Sequence, residues 1–380
     1  MADPTRLIAG AMSGTSADGV DVAIVRIAGR GLGMSAELLG HHHRPYDSRL
    51  RGQIMAARSQ AAIALGDLAE LGRQLSLCYA AAVNEALLAT ALRAADLAAV
   101  AAHGQTLFHD PPLTIQWLDP ALLAAETGCA VVSDFRRADC AVGGQGAPLV
   151  PYADYILFRH QKRSRVLLNI GGIANVTLLP AGCPIDSLIA FDTGPGNCIS
   201  DWLCRTHDPA GPGYDADGQG ALRGTPIGAL VDRVLSAAYF HRAPPKSTDG
   251  PQMIALFERS VGGGRYHVED LLATAALVTA RSIAAAIEHA PDELIVSGGG
   301  VHNAAIMGHL RSLVPATVLI TDDLGMPSAA KEAVAFALLG AATLDGEPSN
   351  VPSATAARRR VVLGSITSRL RCTPHSGEEG

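Results

Sequence analysis

Aromatic residues make up only 4% of this 380-residue chain, and charged residues only 17%. With so few rings, a core must pack from small side chains, and Ala and Gly are abundant. The 48% hydrophobic content excludes a disordered chain and supplies enough apolar material for two domains, the default at this length. No Cys-x-x-Cys pair occurs among the seven cysteines, which excludes the commonest metal and redox spacings and fits reduced thiols in a cytosol. Met1-Ala2-Asp3-Pro4 carries no basic-then-apolar leader, so the expected location is cytoplasmic. Long hydrophobic runs are missing too. The most apolar stretch, Leu271–Ile287, is interrupted by Arg281 and reads as a buried core helix.

Basic clusters are equally scarce. The formal net charge is −6, and the one dense basic run, Arg358-Arg359-Arg360, has no interleaved aromatics. Neither nucleic acid nor an anionic membrane is expected as a partner. The run His41-His42-His43 is not a chelating set, because adjacent strand residues point to opposite faces; a strand edge is the better reading. No Gly-x-x-x-x-Gly-Lys-[Ser/Thr] segment is present, which excludes a P-loop. A Gly-x-Ser-x-Gly elbow, a His-Glu-x-x-His pair and a His-Arg-Asp loop are also missing.

What is present is a twice-repeated plan. Leu7-Ile8-Ala9 enters, residues 13–19 turn, and Val20–Val25 returns with strand alternation. A third strand lies near Ala36–His42, a helix over Asp67–Leu92 with Asp67 as N-cap, and strands at Leu97–Ala102 and Ala130–Ser133. The second half repeats the order. Arg165–Asn169 and Asn175–Leu179 flank a glycine turn, and Leu188–Phe191 is a short strand. Glu293–Ser297, a helix at Asn303–Leu313, a strand at Thr317–Thr321 and a helix at Ser328–Thr343 complete it. The chain therefore reads as an α/β protein with one mixed sheet per lobe. The lobes are expected at 1–131 plus 351–380 and at 132–350. The polar tail Cys372–Gly380 is expected to fray.

Three glycine-rich loops fall at strand ends, where ligands of such sheets bind. Ser13-Gly14-Thr15-Ser16-Ala17-Asp18-Gly19 offers backbone N–H groups and three hydroxyls to a phosphate. Gly171-Gly172-Ile173-Ala174-Asn175 is its counterpart in the second half. Gly298-Gly299-Gly300 follows a buried strand, where a flat ring could lie against the main chain. Any one of them alone could be an ordinary turn. Two phosphate-type hairpins followed by an adenosine-type run carry the case together.

In this order the motifs resemble the anhydro-N-acetylmuramic acid kinase family, within the hexokinase, Hsp70 and actin superfamily. The carriers are Met12–Ser16 with Asp18-Gly19-Val20-Asp21, His103-Gly104-Gln105-Thr106, Asp134-Phe135-Arg136 and the segment Gly143–Pro151. Asn169–Asn175, Phe191-Asp192-Thr193-Gly194-Pro195-Gly196-Asn197, Gly213–Gly218, Pro245-Lys246-Ser247-Thr248, Gly298–Gly300 with Asn303, and Glu332–Ala337 complete them. The resemblance implies two actin-like (ribonuclease H-like) lobes with an active-site cleft between them. It implies ATP and Mg²⁺ as cofactors, an anhydro sugar as small-molecule partner, and a homodimer. In the implied reaction water opens the internal 1,6-ether and O6 takes the γ-phosphoryl group. Asp192 is then the general base, with an N-cap as its competing role. Gly14, Thr15, Ser16, Ala17, Asp18, Gly19, Val20 and Asp21, with Gly171, Gly172, Gly298, Gly299 and Gly300, hold the nucleotide. His103, Arg136 and Glu332 contact the sugar, Arg136 through its carboxylate. Ser13 stands where the superfamily often has a carboxylate that holds Mg²⁺ through water, and the metal ligands stay open between Asp18 and Asp21. Asp249, Ala329, Ala356 and Tyr152-Ala153-Asp154 depart from the family pattern. A kinase for another 1,6-anhydro sugar such as levoglucosan, and a non-catalytic ATP-binding sensor, are the alternatives.

Overall fold

The computed structural model describes residues 5–59, 62–244, 246–287 and 289–369. Met1–Pro4, Pro245 and the tail Cys372–Gly380 lie outside them. The chain forms two compact units, Met1–Leu157 with Glu332–Gly380, and Phe158–Lys331.

In the first unit, β1 (Thr5–Met12) and β2 (Gly19–Ala28) pair antiparallel, and β3 (Ser35–Pro45) continues past β2. β4 (Leu97–Ala102) lies parallel on the other side of β1. A separate hairpin, β5 (Gln105–Asp110) and β6 (Leu113–Trp117), precedes β7 (Val131–Ser133), which joins β4. The strand Ser365–Thr367 closes that edge. Helix Leu65–Ala89 covers one face, burying Leu71, Leu75, Tyr79 and Val83 at four-residue spacing against Ala9, Ala11, Val20, Val22 and Ile24. Helix Lys331–Asp345 lies on the opposite face. Gly10 permits this approach, since a Cβ there would sit 1.9 Å from the Ala333 carbonyl oxygen.

The second unit repeats the plan with β8 (Arg165–Ile170), β9 (Ile173–Leu179), β10 (Ile189–Pro195), β11 (Glu293–Ser297) and β12 (Thr317–Ile320). Its sheet order is β10-β9-β8-β11-β12, and the first unit has β3-β2-β1-β4-β7. Each sheet therefore runs third, second, first, fourth, fifth, the expected ribonuclease H-like arrangement. Helix Val268–Ala286 is buried along its length in the second core, as its apolar sequence suggested. No helix among the described residues is long and apolar enough to cross a membrane.

The division between units differs from the expected one. The first crossing falls after Leu157 rather than at 132, because β7 is still a strand of the first sheet. Asp139 then ties the next segment down: its buried carboxylate accepts from Gly146 N at 2.8 Å, Asn350 Nδ2 at 2.7 Å and Thr355 Oγ1 at 2.8 Å. The return falls before Glu332 rather than at 351, because the helix Lys331–Asp345 packs on β1.

Two local expectations also change. Ala64, not Asp67, is the N-cap of the first long helix, and no side chain caps it. The strand holding Asp192 runs on to Pro195, and the next helix starts at Cys198. Proline is tolerated there because β10 is an edge strand. The histidine run lies on β3, also an edge. His41 Nε2 and His43 Nδ1 meet Asp21 Oδ1 at 2.9 and 3.1 Å on one face, while His42 Nε2 meets Glu85 at 2.8 Å on the other.

Candidate active site

The first loop leaves β1 at Met12. The Ser13 hydroxyl is buried and donates to Gln105 Oε1 at 2.7 Å. Ala17 N donates to Gly14 O at 3.2 Å and closes a turn, with Ala17 itself at φ 50°. Among the described residues nothing accepts from the N–H groups of Thr15 or Ser16. The Asp18 carboxylate is exposed and accepts from Ser16 Oγ at 3.0 Å. Asp21 differs, since two imidazoles engage its carboxylate. Of the two, Asp18 is the more exposed.

Packing separates the glycines that the fold needs from those it does not. A Cβ on Gly19 would lie 2.3 Å from Arg44 O, one on Gly298 2.7 Å from Ile170 O, and one on Gly300 2.3 Å from Ile170 Cγ2. These three let neighbouring chain approach. A Cβ on Gly14 would meet nothing closer than Ser16 Oγ at 3.5 Å. Gly172 and Gly299 have no heavy atom within 4 Å of that position. Each loop thus keeps at least one glycine whose lack of a side chain answers no close internal contact, which is what a closely approaching ligand requires. We expect Gly299→Leu to melt within a few degrees of the parent yet bind ATP at least about tenfold more weakly. Gly298→Ala, strained at φ 83°, should instead lose stability, by about 1–3 kcal/mol. Equal nucleotide titrations for Gly299→Leu and its parent would rule out a ring at that loop.

The second loop is anchored from below. Gly172 O accepts from Gly196 N at 2.9 Å and Cys198 N at 3.0 Å, and Gly171 O from Asn197 N at 2.8 Å. This links the loop to the segment carrying Asp192. The β9–β10 register slips between Asp192 and Gly194, a bulge of the kind that re-aims a side chain beside a site. Asp192 caps no helix; Asn197 holds that place. One carboxylate oxygen accepts from Thr248 N at 3.0 Å. Burial pushes the carboxyl up to about 6, partly offset by that N–H. A carboxylate so poorly solvated, with a single donor among the described residues, is a competent base near neutral pH.

The three expected sugar contacts all belong to the first unit. His103 is buried, with Nδ1 facing Gly104 O at 2.9 Å and Nε2 accepting from Arg136 Nε at 3.0 Å. Burial and the Arg136 charge hold its pKa well below the usual value, so it is neutral. Burial also lowers Arg136, to about 10, while the charges of Cys140 and Glu332 oppose the shift. Arg136 remains a cation at neutral pH, with its guanidinium oriented by the imidazole. Glu332 lies in the first turn of the helix that Gly10 draws onto β1. His103 also lines a cavity of about 200 Å³ with Gln116, Trp117, Ser133 and Arg137. That is below the usual size for a whole ligand.

Residues 6–369 match the anhydro-N-acetylmuramic acid kinase family. The chain belongs to that family. The anhydro-N-acetylmuramic acid kinase of Salinibacter ruber is 41% identical, covering 95% of this chain and 96% of its own length. The one from Bacillus cereus is 39% identical, covering 95% and 98%. A ROK family glucokinase from Streptomyces griseus, solved in complex with glucose and AMPPNP, is 13% identical over 89% of this chain and 98% of its own, with a TM-score of 0.38.

Two departures from the family pattern have structural accounts. Asp249 caps the helix Gly250–Val261, accepting from Gln252 N at 2.8 Å and Gln252 Nε2 at 2.9 Å. Ala356 ends a short helix at φ 59°, where the family glycine is at ease and alanine costs about 1 kcal/mol. Ala329 is exposed, and nothing in the structure explains it. Sequence reasoning missed Asp139, Gln105 and the Thr248 N–H as organising groups. Only Gln105 and Thr248 stood in quoted motifs.

Proposed function

We propose that this chain is an ATP-dependent kinase that hydrolytically opens 1,6-anhydro-N-acetylmuramic acid and phosphorylates O6, giving N-acetylmuramic acid 6-phosphate and ADP. The observation that carries the reading is the desolvated Asp192 carboxylate, set on a bulged edge strand beside the second glycine loop. Asp192 takes a proton from water as that water attacks the anomeric carbon. The C1–O6 bond breaks, and O6 forms its new bond to the γ-phosphorus as the ADP oxygen leaves. The backbone N–H groups of the glycine loops offset the phosphate charge, and Gly299 receives the adenosine. Arg136 grips the lactyl carboxylate through a fork that His103 orients. Glu332 accepts from the sugar. Asp18 would hold the Mg²⁺ that enters on ATP and screens its charge. A cytoplasmic homodimer, with neither nucleic acid nor membrane as partner, completes the reading.

The test incubates the protein with ATP, Mg²⁺ and either 1,6-anhydro-N-acetylmuramic acid or levoglucosan, following ADP and sugar 6-phosphate. Turnover of the acidic sugar at least about a hundredfold above levoglucosan is expected. Equal turnover would favour the kinase of another anhydro sugar, and ADP release indifferent to both would sink the reading.

A further inference from the structure

Gln105 is wholly buried at the start of β5, and its carboxamide is bound on both sides. Oε1 accepts from the Ser13 hydroxyl at 2.7 Å, and Nε2 donates to Gly14 O at 3.1 Å. The same tripeptide reaches the other way. His103 takes the Arg136 Nε–H at 3.0 Å and places Nδ1 against Gly104 O at 2.9 Å. Gly104 has φ 77°, and a Cβ on it would lie 3.3 Å from the Gln116 backbone, so the link is packed against β6. His103-Gly104-Gln105 therefore holds the candidate sugar cation at one end and the first phosphate loop at the other. Every group along it is fixed by a hydrogen bond or by close packing.

A buried amide with both ends bound cannot shift one bond without straining the other, and leaving a group unmet costs about 1–3 kcal/mol. Motion of Arg136 as it grips a carboxylate is thus passed on to Ser13 and Gly14. We propose that Gln105 is a positioning residue that couples occupancy of Arg136 by the sugar carboxylate to the geometry of the first phosphate loop. This rests on the functional reading above.

The test is a pair of titrations with AMPPNP and Mg²⁺, with and without saturating 1,6-anhydro-N-acetylmuramic acid, and the reverse titrations of sugar. Linkage requires the same factor in both directions, and a coupling of about fivefold or more is expected for the parent protein. Gln105→Met keeps the volume but makes neither hydrogen bond, and its coupling should fall to within about twofold. Because coupling is a ratio, loss of either affinity alone cancels, so a merely structural role would leave it unchanged. Ser13→Ala removes only the loop-side hydroxyl and should lower the coupling as well; it also serves if the methionine variant does not fold. Coupling kept at the parental value in a folded variant would overturn the proposal, as would no coupling in the parent. Failure of the parent to make sugar 6-phosphate at all would overturn the functional reading instead.

Discussion

Asp192→Asn should lower turnover by roughly two to four orders of magnitude while leaving the protein as stable as its parent or more so. Both halves follow from the same burial. The carboxyl titrates at about 6 in the fold and near 4 in the unfolded chain. Between those values the native state holds more protons than the unfolded state, so this group's contribution to stability falls as pH rises through that window. Above pH 6 the fold carries an ionised, poorly solvated carboxylate that asparagine replaces with a neutral group of the same shape. The amide oxygen still accepts from Thr248 N. Thermal melts of parent and variant should therefore diverge from about pH 4 to 6 and stay apart above it, with the variant higher. In the parent, kcat/KM should drop about tenfold per unit below pH 6, since only the ionised form takes a proton. Burial also raises Asp201 to about 6; it contributes to both melting curves and cancels in their difference. Near-normal turnover in Asp192→Asn would move the base elsewhere, with Glu332 the next residue to replace.

Arg136→Lys is expected to raise KM for the acidic sugar by about 10- to 150-fold, the loss of a charge-assisted hydrogen bond worth about 1.5–3 kcal/mol. Lysine keeps a cation beside Glu332 but has no Nε–H for His103 and no planar fork for a carboxylate. AMPPNP affinity measured without sugar should change by no more than about threefold. A sugar with no carboxylate should be indifferent to the substitution. If both sugars suffer equally, Arg136 supports the fold rather than reading the substrate.

The parts of this fold that were legible in the sequence are those set by local pattern. Leu97–Ala102 and Glu293–Ser297 are short apolar runs closed by polar or glycine residues, and both strands occupy those bounds. The alternation of His41, His42 and His43 across an edge strand follows from the two-residue period alone. What stayed hidden was set at long range. Asp139 finds its partners at Asn350 and Thr355, and no local signal in the sequence ties those positions together. That network ties residues 139–146 to the returning segment of the first unit. The short strand is expected to end at Phe191, yet pairing with Ala174 and Ile173 draws Gly194 and Pro195 into β10. The β5–β6 hairpin went unread, although Pro111-Pro112 forms its turn. The candidate site followed the same rule. Glycine runs announced the loops, but only three-dimensional packing separates Gly299 from Gly298 and Gly300.

The order in which these units occur along the chain bears on how the protein is made. Phe158–Lys331 is one uninterrupted segment, whereas the first unit needs residues from both before and after it. A ribosome therefore releases all of the second unit while the first still lacks the helix on β1, the edge strand Ser365–Thr367 and two partners of the Asp139 carboxylate. The usual vectorial order, N-terminal domain first, is reversed. The central unit can complete its core during synthesis, and the N-terminal sheet keeps one face uncovered until the helix Lys331–Asp345 has emerged.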